Sequence, residues 1–134
     1  MTVYLTLARD PNNIQESEYG TGSKQVQFSP ITSCILIAGA TADGDVSGIH
    51  LVMVQPDDQP FGIADVATVT TRLGDLTVNP SSIIVFGQTQ MWNDNVPEAY
   101  QALIEQLGLP PTTDLDDGTY GAQVSEGVVK WYQA

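Results

Sequence analysis

The chain has 134 residues, of which 42% are hydrophobic, and its formal net charge at pH 7 is −12. This length and composition predict a single globular domain over residues 1–134 with its own hydrophobic core. Sixteen acidic residues against four Lys and Arg argue against a nucleic-acid-binding protein, because binding to phosphates needs a surplus of cations. We expect a monomer, whose negative field serves solubility or attracts partners with a basic surface.

No apolar run is long enough to cross a membrane, and the N-terminus lacks the basic and apolar regions of a secretory signal peptide. We therefore expect a cytoplasmic protein, or one delivered into a target cell without a cleaved signal. The single cysteine cannot form an intramolecular disulfide or a multi-thiolate zinc site, and we expect no cofactor and no metal. The acidic stretches near Asp57 and Asp114 lack EF-hand spacing and are predicted to be solvated loops.

The first half of the chain is predicted to consist mainly of strands, with a loop over residues 10–23. Four segments have strand patterns: residues 3–7, 25–28, 34–39 and 48–55. The last two are continuous apolar runs, typical of strands that are buried on both faces. A turn centred on Asp43-Gly44 separates them, so these two strands are predicted to pair antiparallel.

Two helices are predicted in the second half of the chain. Asp65 is placed to cap the first, over residues 66–73, and Asp94 or Asn95 to cap the second, over residues 96–107. The remaining predicted elements are a strand over 81–87, a loop over 110–117, and strands over 120–124 and 128–132. Together these elements predict an α+β fold, with a mixed or antiparallel β-sheet sandwich core flanked by two or more helices.

Trp92 follows the predicted strand over 81–87, in a polar stretch of sequence. Two interpretations stay open for it. It docks a partner or substrate from a loop, or it fills the core.

Cys34 and His50 are the only cysteine and the only histidine, and the pattern places them on neighbouring antiparallel strands. Facing side chains on such strands lie about 5 Å apart at Cβ, close enough for a thiol nucleophile and its imidazole base. The small residues before the cysteine leave room for a substrate. The backbone N–H of Cys34, together with Ser33, is the predicted oxyanion donor for acyl transfer. The alternative interpretation is an inert buried cysteine beside a structural histidine.

The element Ile31-Thr32-Ser33-Cys34, an apolar strand, a Gly/Asp turn and then Gly48-Ile49-His50 resemble the core of the papain-like protein glutamine deamidases. This superfamily includes the bacterial chemotaxis deamidase, the cytotoxic necrotizing factors and the Burkholderia lethal factor. The resemblance implies a cysteine hydrolase, toxin-like or regulatory, that deamidates a glutamine of a protein target and uses no cofactor. It makes Cys34 the nucleophile and His50 the base.

The chain departs from the deamidases that it resembles at Phe28, where they often carry a threonine whose oxygen orients the histidine. Ser29, Thr32, Gln27 or a backbone carbonyl is the predicted replacement, since the imidazole N–H needs only an acceptor. A non-catalytic protein-binding domain on the same fold is the alternative function. Transglutaminase or protease chemistry with the same pair is a third.

Overall fold

Two β-sheets and three α-helices form the regular structure in a computed structural model that describes residues 5–134. The strands of this part are β1 Thr6–Leu7, β2 Glu18–Gly22, β3 Gln25–Gln27, β4 Ile35–Ala40, β5 Val46–Leu51, β6 Ile84–Gly87, β7 Thr112–Asp114, β8 Tyr120–Ser125 and β9 Val128–Gln133. The helices are α1 Ile63–Asp75, α2 Thr89–Asn95 and α3 Pro97–Gln106, with a short 3₁₀ helix over Pro80–Ser82. The first residues of the predicted strand over 3–7 lie outside the described residues.

The larger sheet has six strands in the order β1-β2-β5-β4-β6-β7, and the smaller sheet has three in the order β3-β8-β9. The four central strands of the larger sheet pair antiparallel, whereas its edge strands β1 and β7 pair parallel to their neighbours. The smaller sheet is antiparallel throughout. The predicted α+β class is therefore confirmed, with a mixed main sheet.

The β4–β5 hairpin forms the centre of the larger sheet. The predicted antiparallel pairing of these strands is confirmed, with Leu36 opposite His50 and Ile35 opposite Leu51. Both strands are buried along nearly their whole length, as their continuous apolar sequences predict. The second strand ends at Leu51 and not at residue 55 as predicted.

Successive side chains of a strand point to opposite faces of the sheet, so β4 and β5 supply two separate cores. On what we call the helix face, their side chains pack against the helices: Ile35, Ile37, Ile49 and Leu51 meet Val66, Val69, Leu73, Trp92 and Leu103. On the opposite face, which we call the sheet face, side chains pack against the smaller sheet: Leu36, Ala38 and Phe86 meet Val26, Phe28, Ala122 and Val129.

The structure adds two strands where loops are predicted. Residues 18–22 form β2, whose backbone pairs with β5, although Glu-Tyr-Gly-Thr-Gly has no apolar alternation that would indicate a strand. Residues 112–114 form β7, which pairs with β6. Both predictions are wrong for the same physical reason, because these polar segments become strands through backbone pairing with a buried neighbour rather than through burial of their own side chains.

The predicted helices exist, but their starts differ from the predictions. The Asp65 side chain lies inside α1, where its carboxylate accepts a hydrogen bond from the Gly62 N–H at 2.8 Å. Asp94 and Asn95 lie at the end of the unpredicted helix α2, where Asp94 accepts a hydrogen bond from the Gln90 side chain and Asn95 donates to the Met91 carbonyl. Neither side chain caps α3, so this prediction is wrong. Within the described residues, no helix has the length and apolar character needed to cross a membrane.

Candidate functional site

Three side chains from distant parts of the sequence meet at one edge of the sheet face. The Cys34 sulfur, a ring nitrogen of His50 and a carboxylate oxygen of Glu16 all lie within 4.8 Å of one another. Cys34 is 1% exposed and His50 is 0% exposed, whereas Glu16 reaches them from the surface. The structure therefore brings together the thiol and imidazole that the sequence singled out, and it adds a carboxylate.

The hairpin explains how Cys34 and His50 come together. His50 is opposite Leu36, whereas Cys34 immediately precedes β4 and lies two residues before Leu36 on the same face. Cys34 and His50 are therefore diagonal neighbours across the two strands. The sequence predicts a directly facing pair, and this detail of the prediction is wrong. Diagonal neighbours on a sheet are still within reach of one another when one side chain is an imidazole.

The imidazole of His50 is oriented by a backbone carbonyl. Its Nδ1 lies 2.9 Å from the Ile14 carbonyl oxygen, and the Ser29 hydroxyl lies 3.5 Å from the same nitrogen. A carbonyl oxygen only accepts hydrogen bonds, so Nδ1 carries the proton and Nε2 holds a free lone pair. His50 Nε2 is buried and has no hydrogen-bond partner, an unusual state for a buried polar atom.

Phe28 occupies the space beside the imidazole. Its ring meets the His50 ring edge to face, with centroids 5.9 Å apart. Gly48 makes room for it, because a Cβ at Gly48 would lie only 2.6 Å from the Phe28 ring. Phe28 thus packs against the histidine, while the Ile14 carbonyl provides the acceptor that a threonine oxygen is expected to provide in the resembled family.

Of the three side chains predicted to accept the His50 N–H, only one lies near the ring. Ser29 is close to His50, as described above. The Gln27 side chain accepts a hydrogen bond from the Tyr132 hydroxyl at 3.3 Å. Thr32 is exposed, and none of the described hydrogen bonds joins it to His50, so the structure does not place it as the orienting group.

The segment that leads into Cys34 is anchored by the helix face. The indole N–H of Trp92 donates to the Ser33 carbonyl at 2.8 Å, and the Gln88 N–H donates to the Cys34 carbonyl at 2.9 Å. Trp92 is fully buried in α2, so the core interpretation of this residue is confirmed and the docking interpretation is wrong. These bonds fix the backbone on which the Cys34 and Ser33 N–H groups are the predicted oxyanion donors.

The surroundings of the thiol favour its protonated form. Burial raises the pKa of Cys34 to about 12, and the negative charge of Glu16 and a hydrogen bond to its carboxylate act in the same direction. The thiol donates that bond to Oε2 of Glu16 over 3.6 Å. A hydrogen bond from the Ser33 backbone lowers the pKa, but it is the smallest of these effects.

The surroundings of the imidazole favour its neutral form. Burial lowers the pKa of His50, and this outweighs the Ile14 hydrogen bond and the charges of Glu16 and Glu18, which raise it. At neutral pH the resting pair is therefore a thiol and a neutral imidazole. This arrangement allows His50 to act as a base during attack by the thiol, and it does not hold a preformed thiolate–imidazolium pair.

A polar cleft of about 560 Å³ opens beside the cluster. Its lining includes Glu16 and Ser29, which touch the buried pair, and Glu18, which adds a second carboxylate. The cleft connects solvent to the outer side of the cluster, so the Glu16 side chain stands between solvent and the thiol.

The sequence pattern does not identify Ile14 and Glu16, because both lie in the predicted loop over residues 10–23. In that stretch, Ile14 is an isolated apolar residue between Asn13 and Gln15, which is a sign that its side chain could be buried. Its side chain is fully buried, and its N–H donates to the Gln27 carbonyl at 2.9 Å. Burial of Ile14 is what presents the next residues, including Glu16, to the site.

No protein-family model matches this chain, and no curated protein matches it.

Proposed function

We propose that the protein is a cysteine hydrolase in which Cys34 is the nucleophile and His50 is the general base. The observation that carries this proposal is the state of His50. Its Nδ1 is held by the Ile14 carbonyl, its buried Nε2 has no hydrogen-bond partner, and its ring belongs to a cluster with a thiol. A base oriented by one nitrogen and free at the other is the arrangement that activates a nucleophile.

The reaction proceeds through a thioester. The Cys34 sulfur attacks the carbonyl carbon of an amide while its proton passes to Nε2 of His50. The C–N bond then breaks, and the imidazolium returns this proton to the nitrogen, which leaves as ammonia. Water attacks the thioester and gives a proton to His50, which returns it to the departing sulfur. The amide becomes a carboxylic acid, and the Cys34 N–H stabilises the oxyanion in both steps.

Glu16 must turn away before the attack, because it accepts the thiol hydrogen bond in the resting state. Its side chain is exposed at the cleft, so it can rotate into solvent without opening the core. An incoming substrate therefore displaces Glu16 and takes its place beside the sulfur.

We propose a glutamine side chain of a protein as the substrate. The resemblance of residues 31–50 to the glutamine deamidases supports this choice of amide. The cleft supports the type of target, because Glu16 and Glu18 line it and the whole chain carries a net charge of −12. The negative cleft and the negative net charge both favour a glutamine that lies within a basic surface of the target.

A glutamine-mimicking reagent tests this function without knowledge of the target. We would treat the metal-free protein with a short basic peptide in which a diazo-ketone analogue replaces glutamine. A thiol activated by an adjacent acid–base group forms a thioether with this reagent, with loss of N₂. We expect one adduct on Cys34 by peptide mass mapping, none in Cys34→Ser, and labelling at least about 10²-fold slower in His50→Gln.

Two controls make the result specific. Glu105→Gln removes an exposed carboxylate of α3 that lies outside the cleft, and it should label within about twofold of the wild type. Circular dichroism checks that His50→Gln is folded. Equal labelling of the wild type and His50→Gln would contradict a catalytic pair.

A non-catalytic binding domain is the second candidate, and two properties of the thiol favour it. Cys34 is 1% exposed, and its pKa is about 12, both of which are typical of an inert core thiol. Labelling that occurs only after denaturation would support this function and overturn the first.

A further inference from the structure

We propose that Glu16, Cys34 and His50 form a binding site for a transition metal ion, with Zn²⁺ as the preferred ion. This inference does not rest on the proposed hydrolase activity. It rests on the donor atoms, on their spacing and on the unpartnered nitrogen of His50.

The spacing of two donors fits a metal between them. The Cys34 sulfur lies 3.6 Å from Oε2 of Glu16. Zinc binds thiolate sulfur at about 2.3 Å and carboxylate oxygen at about 2.0–2.2 Å, so two such ligands in a tetrahedral site lie about 3.5 Å apart. The third donor is a ring nitrogen of His50, which lies within 4.8 Å of both. Binding of an ion would bring Nε2 to about 3.5 Å from the sulfur and the oxygen, the separation of ligands in a tetrahedral site.

His50 has the surroundings of a metal-binding histidine. Such a histidine nearly always donates its other ring N–H to a carbonyl or carboxylate, which fixes its orientation. Here Nδ1 donates to the Ile14 carbonyl at 2.9 Å, and this leaves Nε2 as the ligand atom. Nε2 is part of a side chain that is 0% exposed, and it has no partner. A bound ion would satisfy this atom.

The donor set selects the kind of ion. One sulfur, one nitrogen and one oxygen suit Zn²⁺ and Co²⁺, and they do not suit Mg²⁺ or Ca²⁺, which prefer oxygen alone. Three protein ligands leave a fourth position for water. Glu16 lines the cleft, so the ion has a path from solvent and can exchange.

Metal binding and the proposed hydrolysis would exclude each other. The ion would bind the sulfur that attacks the amide and the Nε2 that accepts its proton. The metal-bound form is therefore inactive toward the diazo-ketone peptide, and addition of a chelator restores labelling.

Cobalt titration of the chelator-treated full chain tests the site directly. We expect one Co²⁺ per chain, with a near-ultraviolet thiolate-to-cobalt charge-transfer band that Zn²⁺ abolishes by competition. Cys34→Ser should lose the band, and Glu16→Gln should weaken binding about tenfold or more, because each removes one ligand. Glu18→Gln is the matched control, and it should bind as the wild type does. His50→Gln, with its fold checked by circular dichroism, should bind at least as weakly as Glu16→Gln.

Two results would overturn the site: no charge-transfer band in the native wild type, or equal Zn²⁺ affinity in the wild type, Cys34→Ser and Glu16→Gln. The second result would mean that exposed carboxylates hold the ion. The hydrolase proposal is tested separately, because peptide labelling is measured with chelator present. Labelling without metal binding overturns only the site, and metal binding without labelling overturns only the hydrolase.

Discussion

The two faces of the six-stranded sheet are built from the same strands but serve different purposes. The helix face is a continuous apolar core in which α1, α2 and α3 cover β4 and β5. The sheet face is equally buried, but at its edge it contains Cys34 and His50, and the Nε2 of His50 has no hydrogen-bond partner. One face is therefore a purely structural core, whereas the other combines packing with a cluster of a thiol, an imidazole and a carboxylate.

The difference lies in the polar residues that are buried as a whole, because the Nε of Arg72 on α1 also lacks a hydrogen-bond partner but belongs to a partly exposed side chain. Thr89 and Asp65, which are buried near the helices, have hydrogen-bond partners in Asp114 and Gly62. An unsatisfied buried polar atom lowers the free energy of unfolding by about 1–3 kcal/mol. The unpartnered Nε2 of His50 therefore destabilises the fold in a way that an apolar residue at this position would not. Such a cost is typical of functional sites, where the surrounding structure supports a locally unfavourable group.

The largest effects on stability should come from core truncations, and one truncation on each face distinguishes the roles of the two faces. Leu103→Ala on the helix face and Phe28→Thr on the sheet face should each lower the free energy of unfolding by about 2–5 kcal/mol, because both side chains are fully buried. Only Phe28→Thr should also alter Cys34 alkylation under native conditions, because Phe28 packs against His50. Urea denaturation and iodoacetamide labelling measure the two effects, and equal changes in labelling would argue against separate roles of the faces.

An intermediate effect is expected from Gly48→Ala. Its new Cβ would lie 2.6 Å from the Phe28 ring, and relief of this contact should cost about 1–3 kcal/mol of stability. Gly74→Ala is the matched control on α1, where nothing lies within 4 Å of the new Cβ. It should raise stability by about 0.5–1 kcal/mol, since alanine favours the helix. Thermal denaturation measures both, and a stabilised Gly48→Ala would mean that Phe28 is not held against His50.

A smaller effect is expected from each unit of pH. Burial raises the pKa of Cys34 from 9.0 to about 12, so the folded state favours the neutral thiol. This contribution is fully present below pH 9 and is lost as the pH rises toward 12, with a slope of at most about 1.4 kcal/mol per pH unit. Urea denaturation in chelator should therefore show a steeper alkaline loss in the wild type than in Cys34→Ser. Parallel curves would mean that the thiol is not buried as described.

The sequence predicts the elements that have a local pattern better than those that depend on pairing with a distant strand. The apolar runs of β4 and β5, the helix around Val69 and the hairpin of β8 and β9 all follow from periodicity and turn residues. The strands β2 and β7 do not, because their polar residues adopt strand conformation only through pairing with β5 and β6. Local patterns carry no information about such long-range pairing.

The site is predictable only in part for the same reason. The uniqueness of Cys34 and His50 and the turn between them point to their proximity. The group that orients His50 is the backbone carbonyl of Ile14. Every residue has such a carbonyl, so the residue type at position 14 does not predict this hydrogen bond. Glu16 belongs to a loop whose path is set by the burial of Ile14 and by contacts with β3 and β5.

The most direct test of the account is the alkylation rate of Cys34 by iodoacetamide in chelator, compared between the wild type, Glu16→Gln and Glu18→Gln. We infer that Glu16, Cys34 and His50 form one site in which the Glu16 carboxylate accepts the hydrogen bond of the thiol. Loss of this carboxylate removes a charge and an acceptor that raise the thiol pKa, and each unit of decrease raises the thiolate fraction about tenfold. We predict severalfold to about tenfold faster labelling in Glu16→Gln and little change in Glu18→Gln. Equal rates in all three proteins would contradict the claim.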